Sequence, residues 1–155
     1  MSLEEDKTRL VEFGRYAEER CARKGTKPGT FTFLGFTHYC SHGRSGQFRV
    51  KRKTSRKKSA KKCKEIHRLI RDMRTLPLKV IMKKLNQILV GYYHYYGITD
   101  NFRSLSSFRF RTIRSLYKWL NRRSQRKSYN WGEFNQMLKA YPLAKPKIYV
   151  SVYAR

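Results

Sequence analysis

Apolar residues recur along this chain with two different periods, and the change falls near Thr54. Before that point they come in short runs. Lys7 to Gly14 contains Leu10, Val11 and Phe13 and stops at a glycine, which predicts a short strand. The charged stretch Arg15–Lys24 follows and is broken by Gly25-Thr26-Lys27-Pro28-Gly29, a loop signal. Thr30–Cys40 is aromatic and β-branched. Phe31, Phe33 and Gly35 fall on one face and Leu34 and Phe36 on the other, so a single strand covered on both faces is predicted. A turn at Ser41–Gly46 leads into Gln47–Lys53, where Phe48 and Val50 alternate with basic residues, and the two strands make a β-hairpin.

Beyond Thr54 the period is that of an amphipathic helix. Ala60, Cys63, Ile66, Leu69, Ile70 and Met73 fall three and four apart, and Lys and Arg cover the rest of the surface. Pro77 closes this helix and opens the next, whose stripe runs through Leu78, Ile81, Met82, Leu85, Ile88, Leu89, Tyr92, Tyr93 and Tyr96 to a stop at Gly97. Asp100 or Asn101 is placed to cap a third helix built on Leu105, Phe108, Ile113, Leu116, Tyr117 and Leu120. Asn130 and Glu133 have capping-box spacing for a short fourth helix carrying Trp131, Phe134, Met137 and Leu138. After Pro142 and Pro146, Lys147–Tyr153 reads as extended. The pattern predicts an α+β protein, a small N-terminal β piece over residues 1–53 followed by a mainly α-helical bundle over residues 54–155.

Charge changes the picture more than composition does. The 155 residues hold 37 Lys and Arg against 10 Asp and Glu, a formal net charge of +27, while 39% hydrophobic residues suffice for a core. Six of the acids lie among the first 19 residues, leaving 34 cations and four acids in the other 136. A field of that density repels itself unless a polyanion neutralises it, so nucleic acid is the expected partner. There is no apolar run of the roughly 18 residues a membrane helix needs, and no membrane partner is expected. Met1–Asp6 is acidic where a secretory signal is basic and then apolar, so cytoplasmic residence is expected. Cys21, Cys40 and Cys63 lack CxxC spacing, which favours reduced thiols over a disulfide framework.

Catalytic constellations are thin. The aspartates, Asp6, Asp72 and Asp100, are far apart in sequence, and Glu65 with Asp72 among lysines reads as local charge compensation. No paired-carboxylate polymerase site and no catalytic residue is predicted. His38, Cys40 and His42 alternate and would share one strand face, but one strand does not close a zinc tetrahedron, so neither a metal site nor a cofactor is expected.

Basic clusters carry the stronger signal. Lys51, Arg52, Lys53, Arg56, Lys57, Lys58, Lys61 and Lys62 put eight cations in twelve residues with no acid among them, beyond what a solvated charge run needs, and phosphate contact is expected there. Lys118, Arg122, Arg123, Arg126 and Lys127 follow the third helix stripe; five cations exceed what the negative helix end attracts, and RNA contact is expected here too. If both clusters lie on one face, RNA would bridge them. Within Gly91-Tyr92-Tyr93-His94-Tyr95-Tyr96-Gly97, Tyr92, Tyr93 and Tyr96 belong to the apolar face, whereas Tyr95 and His94 lie off it, where Tyr95 can meet a base or a 2′-hydroxyl.

Four strings in register add a family likeness. Leu3-x-x-x-Lys7-Thr8, Phe33-Leu34-Gly35-Phe36, Gly91-Tyr92-Tyr93-x-Tyr95-Tyr96-Gly97 and Trp119-Leu120-Asn121-Arg122-Arg123-Ser124 resemble, in order and spacing, the C-terminal part of group II intron-encoded reverse transcriptase/maturase proteins. The resemblance implies that residues 1–53 correspond to a palm remnant and residues 54–155 to the thumb and the maturase-specific X domain. It also implies structured intron RNA as partner and assistance to RNA folding and splicing as function. The alternative it implies is a non-catalytic thumb segment that grips a template–primer duplex together with a separate fingers/palm chain. The family's Tyr-Ala-Asp-Asp motif, its fingers and most of its palm have no counterpart in this sequence, so no polymerisation is expected of this chain.

Overall fold

The computed structural model describes residues 10–124 and 128–153. They divide into two compact units, Met1–Ser55 and Arg56–Arg155. The architecture is α+β, with a three-stranded antiparallel sheet in the first unit and four of the five helices in the second.

In the first unit α1 (Ala17–Arg23) precedes β1 (Phe31–Phe33), β2 (Phe36–His42) and β3 (Phe48–Thr54), which pair in that order. Of the strand expected over residues 7–14, Lys7 to Arg9 lie outside the described residues and Leu10–Phe13 form no strand. That segment is instead held by the Gly29 N–H, which donates to the Glu12 carbonyl at 2.9 Å. The stretch read only as charged contains α1, whose stripe is just the small pair Ala17 and Cys21, four apart and both buried. The single strand expected over Thr30–Cys40 is two strands. Leu34 and Gly35 take φ of 47° and 81°, the left-handed pair of a two-residue hairpin turn whose twist matches the strands it joins. Phe33-Leu34-Gly35-Phe36 is thus the turn itself, with Phe33 opposite Phe36. The β2–β3 hairpin pairs Phe36 with Thr54 through to His42 with Phe48.

The second unit packs α2 (Arg56–Met73), α3 (Leu78–Tyr96), α4 (Phe102–Leu120) and α5 (Trp131–Ala140) around α3. Ile81, Leu85, Leu89, Tyr92 and Tyr93 of α3 meet Ile66 and Ile70 of α2, Leu105, Phe108, Leu116 and Leu120 of α4, and Phe134 and Met137 of α5. The 3.6-residue stripes predicted this core, because each helix has one apolar face and must bury it. Tyr92 stacks on Phe108 with ring centres 3.8 Å apart. Asn130 and Glu133 close both halves of the capping box of α5, at 2.9 and 3.1 Å.

Asn101 is the N-cap residue of α4, yet its side chain does not cap. It is fully buried and donates through Nδ2 to the Tyr96 carbonyl at 2.8 Å, tying the end of α3 to the start of α4. Asp100 takes φ of 74° and accepts from the Tyr153 hydroxyl at 2.9 Å. The extended run expected over Lys147–Tyr153 makes a single parallel bridge, Val150 with Ile98, and forms no strand. Its partner is the α3–α4 turn: Tyr149 and Val150 donate to the Gly97 carbonyl at 2.7 and 3.0 Å. A Cβ at Gly97 would collide with the carbonyls of Tyr93 and Lys147, so only glycine admits this approach. Further back, Asn86 brackets the tail, donating to the Pro142 carbonyl at 3.0 Å and accepting from the Ala144 N–H at 2.7 Å. Tyr93 and Arg109 both donate to the Ala144 carbonyl at 3.2 Å.

Candidate nucleic-acid interface

In the first unit β3 separates the cations that lie side by side in sequence. Lys51 and Lys53 share a face with Tyr39, whose ring has the Lys53 ammonium 5.1 Å from its centre. Arg52 points to the opposite face, where it is paired across the strands with His38. There His38 stacks on Phe31 at 4.8 Å, and burial, with the Arg52 charge second, holds its imidazole below its ordinary pKa. The neighbouring side chains on that face are also committed: the Cys40 Sγ donates to the Gly14 carbonyl at 3.7 Å, and His42 lies 3.4 Å from Glu18. Among the described residues no cluster of three or more His, Cys, Asp or Glu side chains could hold a metal.

In the second unit α2 has no acid in its first turn and carries its cations on every side that the core leaves open. Lys57, Lys61, Lys64, Arg68 and Arg71 are all exposed and fall four, three, four and three residues apart. That spacing keeps them on one ridge, which at 1.5 Å per residue runs about 20 Å. Arg71 bonds to Asp72 at 2.9 Å, the one acid beside the ridge's end. Arg56 is exposed at the start of the helix. Two grooves flank the ridge. Between α2 and α3 a groove of about 470 Å³ is walled by Lys58, Lys61 and Lys62 on one side and by Gly91 and Tyr95 on the other. Tyr95 is 59% exposed, as its place off the apolar stripe predicts, while Tyr92 and Tyr93 are buried. Between α2 and α4 a second groove of about 480 Å³ is lined by Lys64, Arg68, Arg111 and Arg114 over a floor that includes Ala60 and Cys63.

Helices α2 and α4 run in the same direction: Cys63 lies level with Arg111, His67 with Ser115 and Trp119, and Arg74 with Arg123. The cations at the start of α2 and those at the end of α4 therefore sit at opposite ends of the pair, about 20 Å apart along it, and not side by side. At the α4 end, Lys118 and Arg122 each come within 5.5 Å of the Trp119 ring centre, and Arg74 within 5.9 Å. Arg123 is turned inward. Its guanidinium donates to the carbonyls of Arg74 and Leu76, so it closes the α2–α3 connection. Arg126 and Lys127 lie outside the described residues.

His67 gave no signal in the sequence, and in the structure it joins α2 to α4. The Trp119 indole N–H donates to His67 Nε2 at 3.2 Å, so the ring proton sits on Nδ1 and is donated to Ser115 Oγ at 2.9 Å. Burial first, then the charges of Lys118, Arg71 and Arg122, keep its pKa below the ordinary value. Lys64, Arg68, Arg71, Arg111 and Arg114 were missed as well. They are scattered along the chain and become neighbours only on helix faces, so counting cations at spacings of three and four opposite the apolar stripe would have found them.

The model of the group II intron maturase-specific domain matches residues 57–136, just over half of the chain and the span from the start of α2 into α5. No curated protein and no solved structure matches. The chain belongs to the group II intron maturase-specific domain family. Among the described residues, no helix is long and apolar enough to cross a membrane.

Proposed function

We propose that this chain is an RNA-docking module that binds structured group II intron RNA and holds its fold for splicing, with no covalent step of its own. The observation that carries this reading is the α2 ridge of Lys57, Lys61, Lys64, Arg68 and Arg71, five exposed cations over about 20 Å with a cationic groove on either side. Consecutive phosphates of a folded RNA can follow such a ridge, and the grooves accept the strands or side groups that leave it. Lys58, Lys61 and Lys62 join the ridge to Tyr95 through one groove; Arg111 and Arg114 extend it to α4 through the other. Lys118 and Arg122 add cations at the far end of the pair. Family membership supports intron RNA as the partner in preference to any polyanion. In the first unit Lys51 and Lys53, on one sheet face with Tyr39, are a further RNA contact in this reading, and Arg52 is not.

The test is a competition. Binding of a labelled group II intron RNA, followed by fluorescence anisotropy, should resist excess transfer RNA and duplex DNA. It should weaken with salt by roughly 0.7–0.9 log units per log unit of salt for each phosphate neutralised. Equal displacement by all three nucleic acids, or an affinity indifferent to salt, would contradict the reading.

A further inference from the structure

Gly91 stands inside α3 with no structural reason to be glycine. Its φ is an ordinary negative one, and a Cβ there would meet nothing within 4 Å. A helix-interior glycine costs about 1 kcal/mol against alanine, so the fold itself favours any other residue at this position. What glycine does here is leave open the wall of the groove between α2 and α3. Gln87 lies one turn before it and Tyr95 one turn after, on the same ridge of α3, and Ile88, Tyr92 and Tyr96 line the groove beside them. Opposite stand Lys58, Lys61 and Lys62, with Glu65 held to Lys62 at 3.1 Å. One wall is flat, aromatic and partly amide; the other is cationic. The volume, about 470 Å³, is within the range of pockets that hold small organic groups, about 300–1,000 Å³.

We infer that this groove takes one unpaired nucleotide of the RNA, with its base laid over Gly91 against Tyr95 and its phosphates on Lys58, Lys61 and Lys62. The inference rests on the RNA-docking reading and adds to it the chemical class of what enters this groove. A paired base keeps its faces covered by its neighbours in the stack; only a base out of the stack offers a face to Tyr95 while its phosphate reaches lysines across the groove. The amide of Gln87 and the carboxylate of Glu65, both within the groove, can meet a base edge. A side chain at residue 91 would occupy the space the base needs, which accounts for a glycine that packing does not require.

The experiment uses the full chain and two labelled RNA hairpins, identical except that one carries a single bulged adenosine. The wild type should bind the bulged hairpin about tenfold more tightly at the same salt, the scale of one base stacked on an aromatic side chain. Gly91→Leu and Tyr95→Ala should each erase that ratio, and Gly91→Leu should do so with affinity for the fully paired hairpin unchanged. Gly91→Leu is at an exposed helix position and should raise thermal stability, so a loss of the ratio is not a loss of folding. Replacing the bulged adenosine by an abasic residue should likewise bring the affinity down to that of the paired hairpin. Equal wild-type affinity for both hairpins, or a ratio unchanged in both variants, would overturn the inference and leave RNA docking standing. Failure to bind either hairpin at low salt would overturn both.

Discussion

Arg122 and Arg123 are adjacent, yet one faces the solvent side of Trp119 and the other is bonded to the carbonyls of Arg74 and Leu76. Single alanine substitutions should therefore have different effects. Removing Arg123 takes away two charged donors from the connection between α2 and α3. Each would be worth about 1.5–3 kcal/mol if fully buried, but Leu76 is exposed and water replaces part of the loss, so about 1–2 kcal/mol in total is expected. In a unit of this size that lowers the thermal midpoint by several degrees, on the order of 5 °C. Removing Arg122 forfeits one exposed cation over an indole, about 0.5–1 kcal/mol at most, and one phosphate contact, which flattens the salt slope of RNA binding by roughly 0.7–0.9. Thermal melts of the two variants, set beside salt titrations of RNA affinity, separate the outcomes. A melt of Arg123→Ala indistinguishable from wild type, or a salt slope flattened by Arg123→Ala and not by Arg122→Ala, would refute the assignment.

Tyr93 is 1% exposed and its hydroxyl holds the Ala144 carbonyl; Tyr93→Ala should cost about 3–5 kcal/mol, and Tyr93→Phe only about 0.5–1, because Arg109 still satisfies that carbonyl. Burial raises the Tyr93 pKa to about 12 from 10, so the fold favours its neutral form. The advantage over Tyr93→Phe is complete below pH 10 and shrinks as the pH rises towards 12, which urea denaturation of both proteins at pH 8 and 11 reads directly. For His67 the folded pKa lies below 6.5, so the neutral imidazole is favoured by the fold, and its contribution is full above pH 6.5 and falls as the unfolded chain takes up the proton below it. His67→Gln should remove that acid-side slope, measured as wild-type minus variant stability at pH 7 and 5. Asn130→Ala removes the side-chain half of the α5 capping box, the Oδ1 that accepts from the Glu133 N–H, and should cost about 1 kcal/mol in the same assay.

The helices of the second unit were legible because each carries a long stripe that only one period fits. The capping box of α5 was legible because each of two side chains three apart accepts from the other residue's backbone N–H without outside help. Where the sequence misled, either the local signal was weak or the deciding contact was not local. α1 has too small a stripe, Ala17 and Cys21, to show against its four charges, Glu18, Glu19, Arg20 and Arg23. The turn at Leu34-Gly35 hides inside an apolar run because leucine seldom takes a positive φ, so nothing but the glycine marked it. The tail after Pro142 is fixed by Asn86, Tyr93, Arg109 and Gly97, residues 34 to 58 positions away. The same division runs through the interface. Lys58, Lys61, Lys62 and Tyr95 were visible as a basic run and an off-stripe aromatic, and the groove between α2 and α3 brings them together. The bonds of Arg123 to the carbonyls of Arg74 and Leu76 were not legible, because a cation that bonds backbone carbonyls looks, in sequence, like any other cation in a run.

Photocrosslinking the chain to a group II intron RNA and mapping the attached peptides measures the RNA path without presuming any single residue. Docking along α2 predicts adducts within Lys57–Arg71 and at Tyr95, with weaker ones at Arg111 and Arg114, and none on the exposed α5 residues Asn135, Gln136 and Lys139. Adducts confined to α5 or to the tail after Pro142, with α2 unmarked, would contradict it.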